Sequence, residues 1–159
     1  MGFLRDLAES QVAVDVLLDF FIDRGYVAHE LEGKKEQRNG DIRFYIDGDF
    51  DRPMDVEVKF DKMSKRTGNM CFELSNQKGL TGISSTKADR IAYVCPVDGG
   101  FDVFLFEPTT LRNFLFDTSN ASSVKIKNGG DGKRFSLALV KMDTIIEEKL
   151  FLERWKIDA

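Results

Sequence analysis

Met54-Asp55-Val56-Glu57-Val58-Lys59-Phe60 alternates apolar and ionisable residues without a break. Met54, Val56, Val58 and Phe60 share one parity; Asp55, Glu57, Lys59 and the following Asp61 share the other. Only a β-strand has a side-chain period of two, so this stretch is read as a strand with one apolar and one charged face. The apolar face must be covered by another layer. The flanking segments are rich in Phe, Ile and Val, so the strand is expected in a sheet with a real core. Three ionisable groups in a row on such a strand mark either an exposed edge or a site.

Working outward, Asp41 to Ile46 reads as a preceding strand and Asp47 to Pro53 as a polar connection. Upstream, Leu7, Val14, Leu18 and Phe21 recur near helical spacing, which predicts a helix over Leu4 to Arg24 that stops at Gly25. Tyr26 to Leu31 is a short strand. Gly33 to Gly40 is a basic loop ending in the turn-prone pair Asn39-Gly40. Downstream, Asp61 to Asn69 reads as a basic loop and Met70 to Ser75 as a third strand. The Gly-, Ser- and Thr-rich stretch Asn76 to Lys87 reads as an exposed loop. Arg90 to Val97 and Phe101 to Phe106 form a hairpin across Asp98-Gly99-Gly100. Pro108 opens a helix through about Phe116. Val124 to Lys127 and Arg134 to Lys141 flank the turn Asn128-Gly129-Gly130-Asp131-Gly132. A last helix starts near Asp143 or Thr144, with Thr144 and Glu147 as a capping box. This order predicts an α/β fold: a single domain with a central mixed β-sheet flanked by helices.

The bulk composition agrees. The chain has 159 residues, 42% hydrophobic and 31% charged, with fourteen phenylalanines and three prolines. One globular domain is expected, not a disordered chain. The formal net charge is −4, so any phosphate-binding surface must be local. Cys71 and Cys95 lie in apolar runs and read as buried thiols of a reducing compartment. One His and two Cys are too few for a zinc site. No apolar run reaches the roughly 20 residues of a membrane span. Arg5, Asp6 and Glu9 interrupt any signal-peptide pattern, which places the chain in the cytoplasm, with a phage-encoded origin as one option.

Glu-x-Lys occurs three times, at Glu32, Glu57 and Glu147. Only Glu57-Val58-Lys59 sets both side chains on one face of a strand, about 6 to 7 Å apart. It also follows a strand that begins with an acid. A hairpin brings the start of that strand close to the end of the next, so Asp41 and Glu57 converge. Asp47, Asp49, Asp51 and Asp55 are alternative partners of Glu57, and Asp55 is the serious rival, because it shares a strand face with Glu57.

Gly40-Asp41 followed by Asp55-Val56-Glu57-Val58-Lys59 resembles the PD-(D/E)XK nuclease superfamily, over roughly Glu9 to Val94. Gly40 stands where the name-giving pattern has proline. The resemblance implies a restriction-endonuclease-like core over about residues 3–97, with the C-terminal hairpin and helix over 101–159. It implies that Asp41, Glu57 and the backbone carbonyl of Val58 bind Mg²⁺, with Mn²⁺ as substitute; both are hard cations that prefer oxygen ligands. Lys59 would orient the attacking water or stabilise charge at phosphorus. Glu9, from the first helix, joins the catalytic set, and Glu73 is an outer metal ligand.

The implied activity is metal-dependent endonucleolytic hydrolysis of DNA by activated-water attack, with selectivity for junctions or branched DNA as one option and a homodimer as the working assembly. The alternative is a nuclease-fold module that binds nucleic acid or protein without catalysis. The expected DNA contacts are Lys34, Lys35 and Arg38 before Asp41, Lys62, Lys65 and Arg66 after Lys59, and Ser84, Ser85, Thr86 and Lys87. A third basic cluster, Lys125, Lys127, Lys133 and Arg134, flanks the late Gly-rich turn. His29 reads as an ordinary strand residue, and Gly79-Leu80-Thr81-Gly82 is no phosphate loop.

Overall fold

In the computed structural model, residues 2–33, 40–129 and 134–159 are described, with side chains in the first helix from Leu7 onward. Helix α1 (Gly2–Asp23) leads into β1 (Val27–Glu30), β2 (Ile42–Tyr45) and β3 (Pro53–Phe60). A single helical turn, α2 (Ser64–Thr67), precedes β4 (Asn69–Asn76) and the short β5 (Gly79–Leu80). Strands β6 (Arg90–Val97) and β7 (Gly100–Phe106) follow, then α3 (Pro108–Phe116). The chain ends with β8 (Val124–Gly129), β9 (Phe135–Lys141), α4 (Met142–Glu147) and β10 (Glu153–Asp158).

The strands form two sheets. The first runs β1-β2-β3-β6-β7-β10 and the second β5-β4-β9-β8. In the first sheet β3 and β6 are parallel, with Glu57 beside Ile91 and Lys59 beside Tyr93; the other neighbours are antiparallel. The expected mixed sheet within a single α/β domain is therefore present. The third strand, however, leaves it. β4 buries only Met70, Phe72 and Leu74, the pattern of a strand with one covered face, and it pairs with β9.

Helix α1 covers one face of the six-stranded sheet. Ala13, Val14, Leu17, Phe20 and Phe21 recur at three- and four-residue intervals and pack on Ile42, Val56, Val58, Ala92, Val94, Val103 and Leu105. Leu7, expected on the buried stripe, is 57% exposed. The other face carries Ile91, Tyr93, Cys95, Phe104 and Phe106, which meet Met70, Phe72, Ala138 and Val140 of the second sheet. Each fully buried side chain of this size contributes roughly 1.5–3 kcal/mol of transfer free energy. Leu111 and Leu115 of α3 and Ile145 of α4 close this second core.

Several local expectations are corrected. β10 is an element the sequence pattern does not announce; it adds to β7 along Glu153↔Leu105 through Asp158↔Gly100 and sets Trp155 against Phe20 and Phe21. α4 begins at Met142 behind Lys141, with no side-chain cap, so the Thr144–Glu147 capping box does not form. The stretch 76–87 is not simply an exposed loop. It holds β5 and a 3₁₀ turn whose Ile83 is buried, because Thr81 N–H bonds the Leu74 carbonyl and anchors the segment on β4. Among the described residues no helix is long and apolar enough to cross a membrane.

Candidate active site

The charged face of β3 does not look into open solvent. Because Glu57 and Lys59 sit beside Ile91 and Tyr93, they share the face that the second sheet covers, opposite α1. Lys59 lines a cleft of about 300 Å³ at the junction of the sheets, together with Asp61, Cys71, Glu73, Gly82 and Tyr93. Glu73, on the second sheet, is thus brought into the same cleft as Lys59.

Asp41 stands just past the end of the β2–β3 ladder, whose last pair there is Ile42↔Val56. One further step would set Asp41 opposite Glu57. The ladder is broken here by Gly40, whose φ is +129° and whose Cα passes so close to β3 that an added Cβ would lie 2.8 Å from the Val56 carbonyl oxygen. Only glycine accepts both the angle and the approach. The Asp41 N–H bonds the Val56 carbonyl at 2.8 Å, and its Oδ2 accepts the Val58 N–H at 2.6 Å. A carboxylate thus replaces the next strand partner. The N–H and C=O of one strand residue point to the same side, so the Val58 carbonyl also faces the region beyond β2 where Asp41 sits.

Glu57 is half satisfied. Its Oε1 is 3.2 Å from Lys59 Nζ. Its Oε2 is buried without a hydrogen-bond partner among the described residues. Leaving a buried acceptor unpaired costs about 1–3 kcal/mol, and more if it is charged. Asp55, the rival ligand, is already spent. Both of its oxygens lie in the guanidinium fork of Arg43, at 2.7 and 2.9 Å, across the register pair Arg43↔Asp55.

Glu9, on α1, pairs through its carboxylate with Lys62 Nζ at 3.0 Å, and Lys62 also lines the Lys59 cleft. Of the expected nucleic-acid contacts, Lys34, Lys35 and Arg38 lie outside the described residues. Lys65 is paired with Asp98. Arg66, Ser85 and Lys87 are exposed. Thr86 Oγ1 accepts the Ala88 N–H at 3.2 Å, a local turn contact. Ser84 Oγ and Thr81 Oγ1 are buried without a partner among the described residues, so Ser84 is an interior hydroxyl rather than a surface donor.

Two residues of the cleft escape a sequence-based reading of the site. Asp61 is 8% exposed and accepts N–H groups of Ser64 and Cys71 at 3.1 Å each. Burial raises its pKa, against these backbone donors. A signal for it exists: it continues the alternation of the β3 charged face. Tyr93 is the one phenol in an apolar strand, and burial, then the charges of Asp61, Cys71, Glu57 and Cys95, hold it protonated. Cys71 and Cys95 are unpaired thiols, pushed by burial to about 11 and about 12, which makes them poor nucleophiles near neutral pH.

The residues present fit a hard cation of the Mg²⁺ type. Among the described residues no three His, Cys, Asp or Glu side chains gather into a cage. Mg²⁺ needs none, because it keeps several waters and binds through one or two carboxylates plus substrate phosphates. The buried unpartnered Oε2 of Glu57 is the kind of oxygen such an ion would satisfy.

No known family model and no curated protein matches the chain. The chain is similar to a solved structure of a bacterial homing endonuclease, I-Ssp6803I. It is 16% identical, with a TM-score of 0.47, over 64% of this chain and 68% of that one.

Proposed function

We propose that this protein is a metal-dependent endonuclease that hydrolyses phosphodiester bonds in DNA. One observation carries the reading: Glu57 keeps a buried oxygen without a partner among the described residues beside Lys59, at the place where β2 gives way to the Asp41 carboxylate. In this reading Asp41, Glu57 and the Val58 carbonyl hold Mg²⁺, which Mn²⁺ replaces. The ion would supply Lewis acidity toward the scissile phosphate and toward a water. Lys59 orients that water and offers its ammonium to the charge that develops on phosphorus. Glu73 approaches from the second sheet as an outer ligand, and Glu9 acts indirectly, by holding Lys62 at the end of β3. Junction or branched DNA is one substrate this reading allows, and a homodimer making paired cuts one assembly.

The test is cleavage of linear duplex, single-stranded, nicked and four-way-junction DNA, with RNA as a further substrate, by wild type and Glu57→Gln. Each is assayed with Mg²⁺, Mn²⁺ or chelator. Metal-dependent cutting that vanishes in Glu57→Gln is the expected result. A folded wild-type protein that cuts nothing would leave the non-catalytic binding module as the better reading.

A further inference from the structure

The second sheet has a face that the proposed chemistry does not use. In its register Asn69 pairs with Lys141, Cys71 with Leu139 and Glu73 with Leu137. Lys125 then pairs with Leu139 and Lys127 with Leu137. Side chains on directly paired residues share a face. Two rows therefore cross the sheet: Cys71–Leu139–Lys125 and Glu73–Leu137–Lys127. Their opposite numbers Met70, Phe72, Ala138 and Val140 are in the core, so these rows look outward. Cys71, Glu73 and Leu137 are also walls of the Lys59 cleft. The face thus runs without interruption from the candidate active site to the lysines of β8. Two strand spacings separate β4 from β8, about 10 Å, or roughly three nucleotide steps at a 3.4 Å rise.

At the far end of this face lies a groove of about 740 Å³. Its polar lining is Asn69, Ser122, Ser123, Lys125, Lys141 and Thr144, and no carboxylate is in it. Both lysines are exposed, and among the described residues neither is held in an ion pair. Lys62 and Lys65, which the basic loop after β3 contributes, are by contrast paired with Glu9 and Asp98. A chain with net charge −4 thus keeps an acid-free hollow with two unneutralised ammonium groups and a set of hydroxyl and amide donors. That donor set matches phosphate oxygens, which lysines, hydroxyls and amides contact without reading sequence.

We infer that the groove lined by Lys125 and Lys141 is a binding site for the phosphodiester backbone of the DNA whose scissile bond lies at Glu57 and Lys59. This rests on the nuclease reading for the identity of the ligand and for nothing else. The backbone leaves the cleft past Cys71 and Glu73, crosses β9, and is held by Lys125 and Lys141 several nucleotides from the cut. Lys127, in the row Glu73–Leu137–Lys127, stands beside the path.

The test is fluorescence anisotropy of a labelled duplex of about 20 base pairs, titrated with salt in chelator so that nothing is cut. Wild type, Lys125→Gln/Lys141→Gln and Lys125→Arg/Lys141→Arg are compared, each first shown to melt like wild type. The Gln pair is expected to bind at least about tenfold more weakly, with the slope of log affinity against log salt lowered by about two, one per lost phosphate contact. The Arg pair is expected to bind like wild type. Equal binding and equal slope in the Gln pair would overturn the groove, even if Glu57-dependent cleavage were intact. The converse is distinguishable: DNA binding that needs both lysines, with no cleavage by wild type, would keep the groove and remove the nuclease reading. Capture of phosphatidylserine vesicles in place of DNA, lost in the Gln pair, would overturn the proposal in favour of a membrane surface.

Discussion

The six-stranded sheet treats its carboxylates in two ways. Asp55 and Asp102 are each clasped by an arginine from the adjacent strand. Arg43 Nε and Nη2 hold Asp55 at 2.7 and 2.9 Å, and Arg154 Nε and Nη2 hold Asp102 at 3.0 and 2.6 Å. Glu57, two residues from Asp55 on the same strand, has a lysine on one oxygen and, among the described residues, nothing on the other. Planar two-point clasps neutralise an acid and engage both of its oxygens. A single ammonium beside a buried open oxygen is a poor way to stabilise a sheet and a good way to hold a cation. Under the proposed function, the difference separates acids that hold the fold from an acid kept for chemistry.

The sharpest way to break this comparison is to remove charge from each kind of acid. Glu57→Gln keeps the shape and is expected to lower cleavage by ~10²–10³-fold or more, while the midpoint of urea unfolding stays put or rises. Asp102→Asn is expected to do the reverse, leaving cleavage within a few-fold and lowering stability. Loss of cleavage in Asp102→Asn at unchanged stability would erase the distinction.

The arginines give the next largest effect. Arg154→Ala strands Asp102, which is 4% exposed, and also removes a guanidinium packed 5.0 Å from the Phe104 ring centre. Breaking a buried pair costs about 3–5 kcal/mol, and the partial exposure of Arg154 sets the expectation near the lower end. Arg43→Ala follows the same logic at Asp55. Urea unfolding measures both, and a loss under about 1 kcal/mol would class these clasps with ordinary surface ion pairs.

Much of this contrast is legible in the order of the amino acids alone. The strict alternation of 54–60 places Glu57 and Lys59 on one face, beside Ile91 and Tyr93. Side-chain period is local, and local signals survive folding. What the order of residues hides is pairing. Asp55 and Glu57 are equivalent in the alternation, and only the register Arg43↔Asp55 takes Asp55 out of play. β4 reads as the next strand of the same sheet, because nothing local tells a strand which partner it will find; β9, more than sixty residues on, decides it. β10 is hidden for a related reason. Glu153-Arg-Trp-Lys-Ile-Asp alternates, but it follows helix-forming residues and reads as a continuation of the preceding helix.

A cation should sharpen the comparison more gently. Binding to the native state alone raises stability by RT ln(1 + [L]/Kd), about 2.7 kcal/mol at a hundredfold excess over Kd. For a chain of this size that is a rise of very roughly 5 to 10 °C in Tm. The rise is expected with Mg²⁺ or Mn²⁺ in wild type and is expected to shrink or vanish in Glu57→Gln. An equal rise in both proteins would put the ion elsewhere.

The smallest effect belongs to Asp61, which is neither clasped nor open. It is buried at 8% exposure and met by backbone N–H groups in place of a cation. Burial raises its pKa above the ordinary 3.8. The folded state therefore binds the Asp61 proton more tightly than the unfolded chain does. The sign follows from linkage: Asp61's contribution to stability is full below pH 3.8 and is lost as pH rises through the folded-state pKa. Asp61→Asn removes the titration. Its stability relative to wild type should therefore be least favourable at the acid end, near pH 4, and should improve as pH rises until Asp61 is fully ionised. Urea unfolding of both proteins across that range reads the difference, which cancels the other carboxylates they share. An opposite trend would mean that the backbone donors outweigh burial, and that Asp61 is held as firmly as the arginine-clasped acids.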